Sequence, residues 1–234
     1  MTVRRGLRYE HVAFDLDGTL ADTRADLAAA TNHVLRSFGL PEIPPRSVYR
    51  LVGEGARRLV ERALGPERSD CVDEGVTRFL DYYTAHLLDS TTLYPGIAEA
   101  LDALAAHGVA LSVLSNKPES MSRTVLDGLG VMGRFGALVG GDSLPTRKPH
   151  PAGLESLRRL TATPPAAMLL VGDSPIDVAT AANAGTDFCG VAWGLDPDGL
   201  RAAHPSRVIE SPHALVALVV DGQAVRGARA SSAS

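Results

Sequence analysis

A ten-residue stretch near the start of the chain, residues 11–20, places the tightest limit on its fold. It reads His-Val-Ala-Phe-Asp-Leu-Asp-Gly-Thr-Leu, and its short apolar run, too brief for a helix, predicts a buried strand. Two acids, Asp15 and Asp17, follow one residue apart, so their side chains point to the same side of an extended chain. Gly18 then allows a sharp turn. Because open α/β sheets bind ligands at the carboxyl ends of their strands, this stretch predicts a binding site as well as a strand.

The rest of the chain divides into a helical block and a region of alternating elements. Apolar residues at helical spacing predict helices from about residue 21 to about residue 90, without any strand candidate. After Tyr94 helices alternate with strands, which we expect at 109–114, 137–140, 167–171, 188–192 and, at the edge, 207–209. This alternation predicts an α/β fold with a mostly parallel, Rossmann-like sheet that is covered by helices on both faces.

The helical block lies between the first strand and all the others, so we interpret it as an insertion into the sheet domain. Within it, residues 21–23 are expected to cap the first helix, and Pro44-Pro45 is expected to form a loop. The predicted organisation is a discontinuous core of residues 1–20 and 91–222, a helical cap of residues 21–90, and a disordered tail of residues 223–234.

Composition excludes several classes of protein. The net charge is −4, the pI is about 6.0, and basic residues do not cluster beyond Arg4-Arg5, so a nucleic-acid partner is not expected. No apolar run approaches the roughly 20 residues of a membrane span, and the N-terminus lacks the apolar core of a signal peptide. Cys71 and Cys189 lack metal-type spacing and read as reduced thiols. We therefore expect a cytoplasmic protein without a membrane partner, as a monomer or homodimer.

Lysine is rare in this chain. Lysine and arginine together number 23, and only Lys117 and Lys148 are lysines. Arginine would serve equally well on a surface, whereas a compact ammonium group on a flexible stem suits a small enclosed site. The two exceptions are therefore candidates for functional residues.

Polar residues follow three of the predicted strands, and parallel strands end at one edge of a sheet. We expect four acids, a hydroxyl and an ammonium group to meet there: Asp15, Asp17, Asp173, Asp177, Ser115 and Lys148. Such acids would repel one another, and a hard divalent cation resolves the repulsion. Mg²⁺ favours oxygen ligands and combines carboxylates with a phosphate oxygen, which Ser115, backbone N–H groups and Lys148 would also bind. The sequence thus predicts a magnesium-dependent site for phosphoryl transfer.

At this point the sequence closely resembles the haloacid dehalogenase superfamily of hydrolases. Four segments match its motifs in order: Asp15-Leu16-Asp17-Gly18-Thr19, Leu114-Ser115-Asn116, Lys148-Pro149 and Gly172-Asp173-Ser174-Pro175-Ile176-Asp177. The resemblance extends from about residue 9 to about residue 220, and a helical cap between the first two motifs also fits it. Within the superfamily the chain is most similar to phosphoglycolate phosphatases, through Leu93-Tyr94-Pro95-Gly96, Ser115-Asn116-Lys117-Pro118 and Val52-Gly53-Glu54-Gly55-Ala56.

The resemblance implies a role for each matching residue. Asp15 would attack phosphorus to form an aspartyl-phosphate, and Asp17 would protonate the leaving oxygen and later activate water. The metal would be held by Asp15, Asp173 and the backbone carbonyl of Asp17, with Asp177 supporting the metal or Lys148. Phosphate oxygens would be bound by Ser115, Asn116 N–H, Gly18 and Lys148. In the cap, Arg57 would pair with a substrate carboxylate.

Several alternatives remain open. The acid at position 17 argues against a dehalogenase, which has no leaving alcohol to protonate, and the absence of lysine from the cap argues against a phosphonatase. A best guess of 2-phosphoglycolate as substrate stands beside pyrophosphate, a nucleotide or a sugar phosphate, and beside a phosphomutase. A catalytically silent binding module is the alternative outside enzymes. The role of Lys117 is left undecided.

Overall fold

The computed structural model describes residues 7–220 and has a six-stranded parallel sheet at its centre. The sheet order is β5-β4-β1-β6-β7-β8, and the strands are β1 (His11–Phe14), β4 (Ala110–Leu114), β5 (Ala137–Val139), β6 (Met168–Gly172), β7 (Asp187–Val191) and β8 (Val208–Ile209). The first strand of the chain therefore lies in the middle of the sheet, between two strands that come much later. This arrangement confirms the predicted α/β class.

Helices follow the strands in the expected alternation. Those around the sheet are α5 (Ile97–Ala106), α6 (Glu119–Gly128), α7 (Ala152–Thr161), α8 (Pro175–Ala184), α9 (Pro197–Ala202) and α10 (Pro212–Val220). Alternate residues of β1 and β6 enter different apolar clusters, one shared with α5, α6 and α10 and the other with α7, α8 and α9. Both faces of the sheet are thus covered, which explains why its central strands are mostly apolar, with buried His11 and Ser112 hydrogen-bonded to each other at 2.8 Å.

The segment of residues 23–91 is largely helical. Its helices are α1 (Arg24–Ser37), α2 (Pro45–Tyr49), α3 (Ala56–Leu64) and α4 (Val72–Ala85), with a 3₁₀ turn at Pro66–Cys71. Buried side chains from α1, α3 and α4 join the same apolar cluster as one face of the sheet. No helix among residues 7–220 is long and apolar enough to cross a membrane.

The expectation that residues 21–90 contain no strand is wrong at their start. Ala21–Asp22 form strand β2, which pairs antiparallel with β3 (Thr92–Leu93) and brings the two ends of the helical segment together. The predicted cap residue Thr23 makes no capping hydrogen bond, and Asp22 Oδ1 accepts from Arg24 N instead, at 3.3 Å. A strand of two residues is too short to produce a recognisable alternation.

Two short helices also differ from the expectation. Pro45, predicted as part of a loop, is the first residue of α2, a position where proline costs no hydrogen bond. Helix α9 was not predicted, and Asp196 caps it by accepting from Gly199 N at 3.0 Å. The predicted disordered tail lies outside the described residues. Cys71 and Cys189 form no disulfide, as expected.

The register of the sheet carries the strand ends to one edge. Asp15 N continues the ladder by donating to Val171 O at 2.9 Å, and Ser115 N donates to Val139 O at 3.0 Å. The residues that follow β1 and β4 are therefore held by backbone hydrogen bonds before any side chain contributes. The position of the site follows from the topology.

The centre of the sheet allows a matched test of core packing. Leu170→Ala in β6 removes a side chain that is 0% exposed, and we expect it to lower the free energy of unfolding by about 2–5 kcal/mol. Leu160→Ala in α7 removes the same atoms from a side chain that is 70% exposed, and we expect a change of about 0.5 kcal/mol or less. Urea unfolding of the two variants measures the difference, and equal losses would contradict the assigned layers.

Candidate active site

Lys148 lies at the centre of the site. Its ammonium Nζ is 2.7 Å from Asp15 Oδ1 and 2.7 Å from Asp177 Oδ1, and its side chain is only 2% exposed. The lysine comes from the loop after β5, Asp15 follows β1, and Asp177 lies in the first turn of α8. One ammonium group therefore joins three segments that are far apart in the sequence.

Asp173 completes a cluster of three buried carboxylates. Oxygens of Asp15, Asp173 and Asp177 all lie within 4.8 Å of one another. Asp173 Oδ2 accepts from Leu195 N at 2.6 Å. Asp177 Oδ2 accepts from Ser174 Oγ at 2.5 Å, within a capping box at the start of α8. Each carboxylate is thus fixed in orientation by groups of the chain itself.

Burial shapes the protonation of this cluster. It raises the pKa of Asp15 to about 7, with Asp177 adding to the rise and Lys148 opposing it. Burial, together with Asp15 and Asp177, raises the pKa of Asp173 well above its ordinary range. For Lys148 burial favours the neutral form, but the two acids outweigh it and the pKa is raised. Negative charge is therefore in excess at this point in the fold.

The donor set fits a hard divalent cation. All three side chains offer carboxylate oxygen, the ligand that Mg²⁺ prefers, and they converge from two loops and a helix start. With Asp17 and Lys117 nearby, the site has four carboxylates and two ammonium groups, which leaves two negative charges in excess when all are ionised. A divalent ion would balance that excess.

Asp17 lies beside this cluster and has a different partner. Its Oδ1 is 2.5 Å from Lys117 Nζ, and the same ammonium donates to Tyr83 OH at 2.9 Å. Tyr83 belongs to α4, so this chain of contacts connects the sheet edge with the helical segment. The sequence offered two signals for Lys117, the rarity of lysine and its place in the segment Ser115-Asn116-Lys117-Pro118. It offered none for Tyr83 or for the backbone of Leu195.

Ser115 and Asn116 follow β4 and lie at the same edge. Ser115 is buried, and its Oγ accepts from Lys117 N at 3.2 Å. Asn116 Nδ2 donates to Gly53 O at 2.8 Å and to Lys148 O at 3.0 Å. The asparagine side chain therefore holds the loop of the lysine against the loop that precedes α3.

Gly18, one of the residues predicted to bind phosphate, lies in the predicted turn after β1. Its N–H donates to Ala21 O at 2.9 Å, so this donor is used within the turn. Its φ is +84°, and a Cβ atom there would lie 2.2 Å from Asp173 Oδ2. The glycine is needed because only a residue without a side chain lets Asp173 approach the turn.

Arg57 is not brought to the site. Its Nη1 pairs with Asp73 Oδ1 at 2.5 Å, and its side chain is 57% exposed. Arg57 follows the first residue of α3, and its guanidinium turns toward α4. Arg57 does not line the cavity, so its contact with a substrate carboxylate stays a prediction that this geometry does not support. Sequence spacing located the helix start but not the direction of this side chain.

A cavity opens between the sheet edge and the helical segment. The sheet edge contributes its ionisable groups, including Asp15, Asp17, Lys117, Lys148 and Asp173. The helical segment contributes a largely apolar wall: Leu27, Tyr49, Val52, Leu59, Phe79 and Leu80. The arrangement can hold an anionic group at one end and exclude water with the other.

The sequence profile of the haloacid dehalogenase-like hydrolases matches residues 12–191, which include every ionisable group of the cluster. The chain belongs to this family. The predicted resemblance is thereby confirmed, and the central parallel sheet with its acidic edge is the structure of a haloacid dehalogenase-like hydrolase.

Similar proteins agree with this membership. A phosphoglycolate phosphatase of Rhodospirillum rubrum is 42% identical over 191 residues, covering 78% of this chain and 79% of its own length. A phosphoglycolate phosphatase of Agrobacterium fabrum is 33% identical over 221 residues, covering 93% and 95%. A crystal structure described as a predicted phosphoglycolate phosphatase from Haemophilus somnus superimposes with a TM-score of 0.83 at 30% identity, covering 90% of this chain and 98% of the other.

The excess of buried carboxylates has a measurable consequence for stability. We expect Asp173→Asn to raise the melting temperature in the presence of a chelator, because it removes a buried charge and keeps an oxygen for Leu195 N. Each kcal/mol corresponds to about 2–4 °C for a chain of this size. Lys148→Met removes the cation that, among residues 7–220, pairs with the buried acids Asp15 and Asp177, and it should lower the melting temperature. A fall for Asp173→Asn would contradict this charge balance.

Proposed function

We propose that this chain is a magnesium-dependent phosphomonoester hydrolase that acts on a small phosphorylated metabolite, with 2-phosphoglycolate as the preferred candidate. The observation that carries the proposal is the position of Asp15: it is buried at a strand end, in contact with Lys148 and within reach of Asp173 and Asp177. The names of the relatives support the same activity.

Asp15 acts as the nucleophile. Lys148 holds one of its carboxylate oxygens, Oδ1, so the plane of the carboxylate and the direction of Oδ2 are fixed before substrate arrives. Attack of Asp15 on phosphorus gives an aspartyl-phosphate, and hydrolysis of that intermediate completes the reaction in two easier steps. Ser115, the N–H of Asn116 and the Lys148 ammonium bind the transferring oxygens.

Asp17 acts as the general acid and then as the general base. It follows Asp15 by two residues, lines the same cavity and is held by Lys117. It gives a proton to the leaving oxygen in the first step and takes one from water in the second.

Asp15, Asp173 and the backbone carbonyl of Asp17 would hold the metal, while Asp177 orients Lys148 and completes the acidic cluster. When bound, Mg²⁺ supplies positive charge to the phosphate oxygens and to the nucleophile's surroundings.

The helical segment acts as a cap over the catalytic core. Core residues 1–20 and 91–222 carry the ionisable groups, and the cap, residues 21–90, contributes the apolar wall that limits the access of water. The hydrogen bond from Asn116 Nδ2 to Gly53 O and that from Lys117 to Tyr83 OH are its polar contacts with the site.

The nucleophile is tested by hydrolysis of p-nitrophenyl phosphate. We expect the wild type to turn over in Mg²⁺ and to lose activity in a chelator. Asp15→Asn should lower kcat by about 10³-fold or more, because an amide cannot form the covalent intermediate. Equal, background rates in wild type and variant would favour a silent binding module. A panel of phosphoglycolate, pyrophosphate, nucleotides and sugar phosphates ranks the substrates by kcat/KM.

Alanine variants of two glycines distinguish the effect of backbone strain from the effect of a clash with Asp173. Gly18→Ala and Gly39→Ala both place a side chain at positive φ, but a Cβ at Gly39 meets nothing within 4 Å, whereas one at Gly18 meets the Asp173 carboxylate. We expect both to destabilise the fold by about 1 kcal/mol or more. Only Gly18→Ala should lower kcat/KM, by at least about tenfold. Equal activities in the two variants would contradict the role assigned to Gly18.

A further inference from the structure

The ammonium group of Lys117 has an unused donor. Two of its three N–H bonds are directed to Asp17 Oδ1 and Tyr83 OH, and no acceptor for the third is present among residues 7–220. The side chain is only 4% exposed and lines the cavity. Because a buried N–H bond without an acceptor is costly, the third N–H bond of this ammonium group favours an acceptor that arrives in the cavity.

Tyr83 offers a second donor at the same place. Its hydroxyl oxygen accepts from Lys117, and burial raises the pKa of Tyr83 to about 12, so the phenol keeps its proton at neutral pH. No acceptor for that proton is present in the part of the chain that the structure describes. The ring is buried and packs against Phe79, with centroids 5.4 Å apart, so the hydroxyl is held in position.

The surroundings of Lys117 restrict what the acceptor is. Among the described residues that line the cavity, the cationic side chains are Lys117 and Lys148, and Lys148 already contacts Asp15 and Asp177. The rest of the nearby wall is largely apolar, with Leu27, Phe79, Leu80 and Met121. A single anionic group therefore has one place to bind on this side of the cavity.

Lys117 also lies directly beside the acid that serves the leaving group. Asp17 Oδ1 is 2.5 Å from its ammonium. If Asp17 protonates the leaving oxygen, a substituent on the carbon that bears this oxygen lies next to Lys117. A carboxylate at that carbon would reach both unused donors.

We propose that Lys117 and Tyr83 bind the carboxylate of the substrate and thereby select phosphate esters of α-hydroxy acids, of which 2-phosphoglycolate is the smallest. The inference rests on the proposed phosphatase activity and assigns its specificity to the junction between core and cap. Lys117 then has two tasks: it holds Asp17 in place and donates its third N–H bond to the carboxylate of the leaving group.

The test compares 2-phosphoglycolate with ethyl phosphate, in which a methyl group replaces the carboxylate. We expect the wild type to prefer 2-phosphoglycolate in kcat/KM. Lys117→Met should reduce that preference by about 10- to 100-fold, mainly through a higher KM for 2-phosphoglycolate. Tyr83→Phe, which keeps the packed ring, should reduce it by about three- to tenfold. Arg36→Met removes one positive charge at an exposed pair with Glu42 and should leave the preference unchanged.

The outcomes distinguish a failure of the specificity proposal from a failure of the proposed phosphatase activity. If Lys117→Met lowers kcat/KM for both substrates by the same factor, the lysine acts only by positioning Asp17, and the specificity proposal is overturned. A wild type without preference between the substrates overturns it as well, while the phosphatase assignment stands. A wild type that hydrolyses neither substrate nor p-nitrophenyl phosphate overturns both. Should Lys117→Met fail to fold, the test uses the ratio of kcat/KM for 2-phosphoglycolate to kcat/KM for ethyl phosphate in Tyr83→Phe. A ratio equal to that of the wild type overturns the specificity proposal.

Discussion

The contact of one buried ammonium group with two buried carboxylates is the constraint on which the rest of this site depends. Lys148 reaches Asp15 and Asp177 at 2.7 Å each, in surroundings where an unpaired charge would be strongly destabilising. Asp173 adds a third carboxylate that this lysine does not neutralise. The folded chain therefore holds more negative than positive charge at this cluster. The parallel sheet makes this possible because it brings three distant strand ends to one edge, where their backbone ladders hold them in place.

The helical segment completes this arrangement through few polar contacts. Lys117 and Asn116, neighbours after β4, reach Tyr83 OH and Gly53 O on the other side of the cavity. The same two residues also contact Asp17 and the carbonyl of Lys148. A displacement of the cap would therefore also shift the groups proposed to act in catalysis. The remainder of the junction is apolar, which favours the exclusion of water and gives the few charged groups a larger effect.

The sequence predicted most of the sheet and the convergence of its acids, because both depend on local patterns: apolar runs for strands, and polar residues directly after them. Asp15, Asp173, Asp177 and Lys148 lie together as this reasoning required. Features that depend on tertiary packing could not be read in this way. The two-residue ribbon at Ala21–Asp22, the direction of Arg57 toward Asp73, and the contact of Lys117 with Tyr83 leave no periodic signal. Gly18 was assigned to phosphate because its turn was recognised but the approach of Asp173 was not.

The most direct test of this account is the position of a divalent cation. A crystal of the protein soaked with Mn²⁺ and measured at a wavelength where manganese scatters anomalously locates the ion without reference to activity. The account predicts one strong peak bounded by the carboxylates of Asp15 and Asp173, at coordination distances of about 2.0–2.3 Å. A peak at exposed acids alone, or none between those two side chains in crystals that hold manganese, would contradict it.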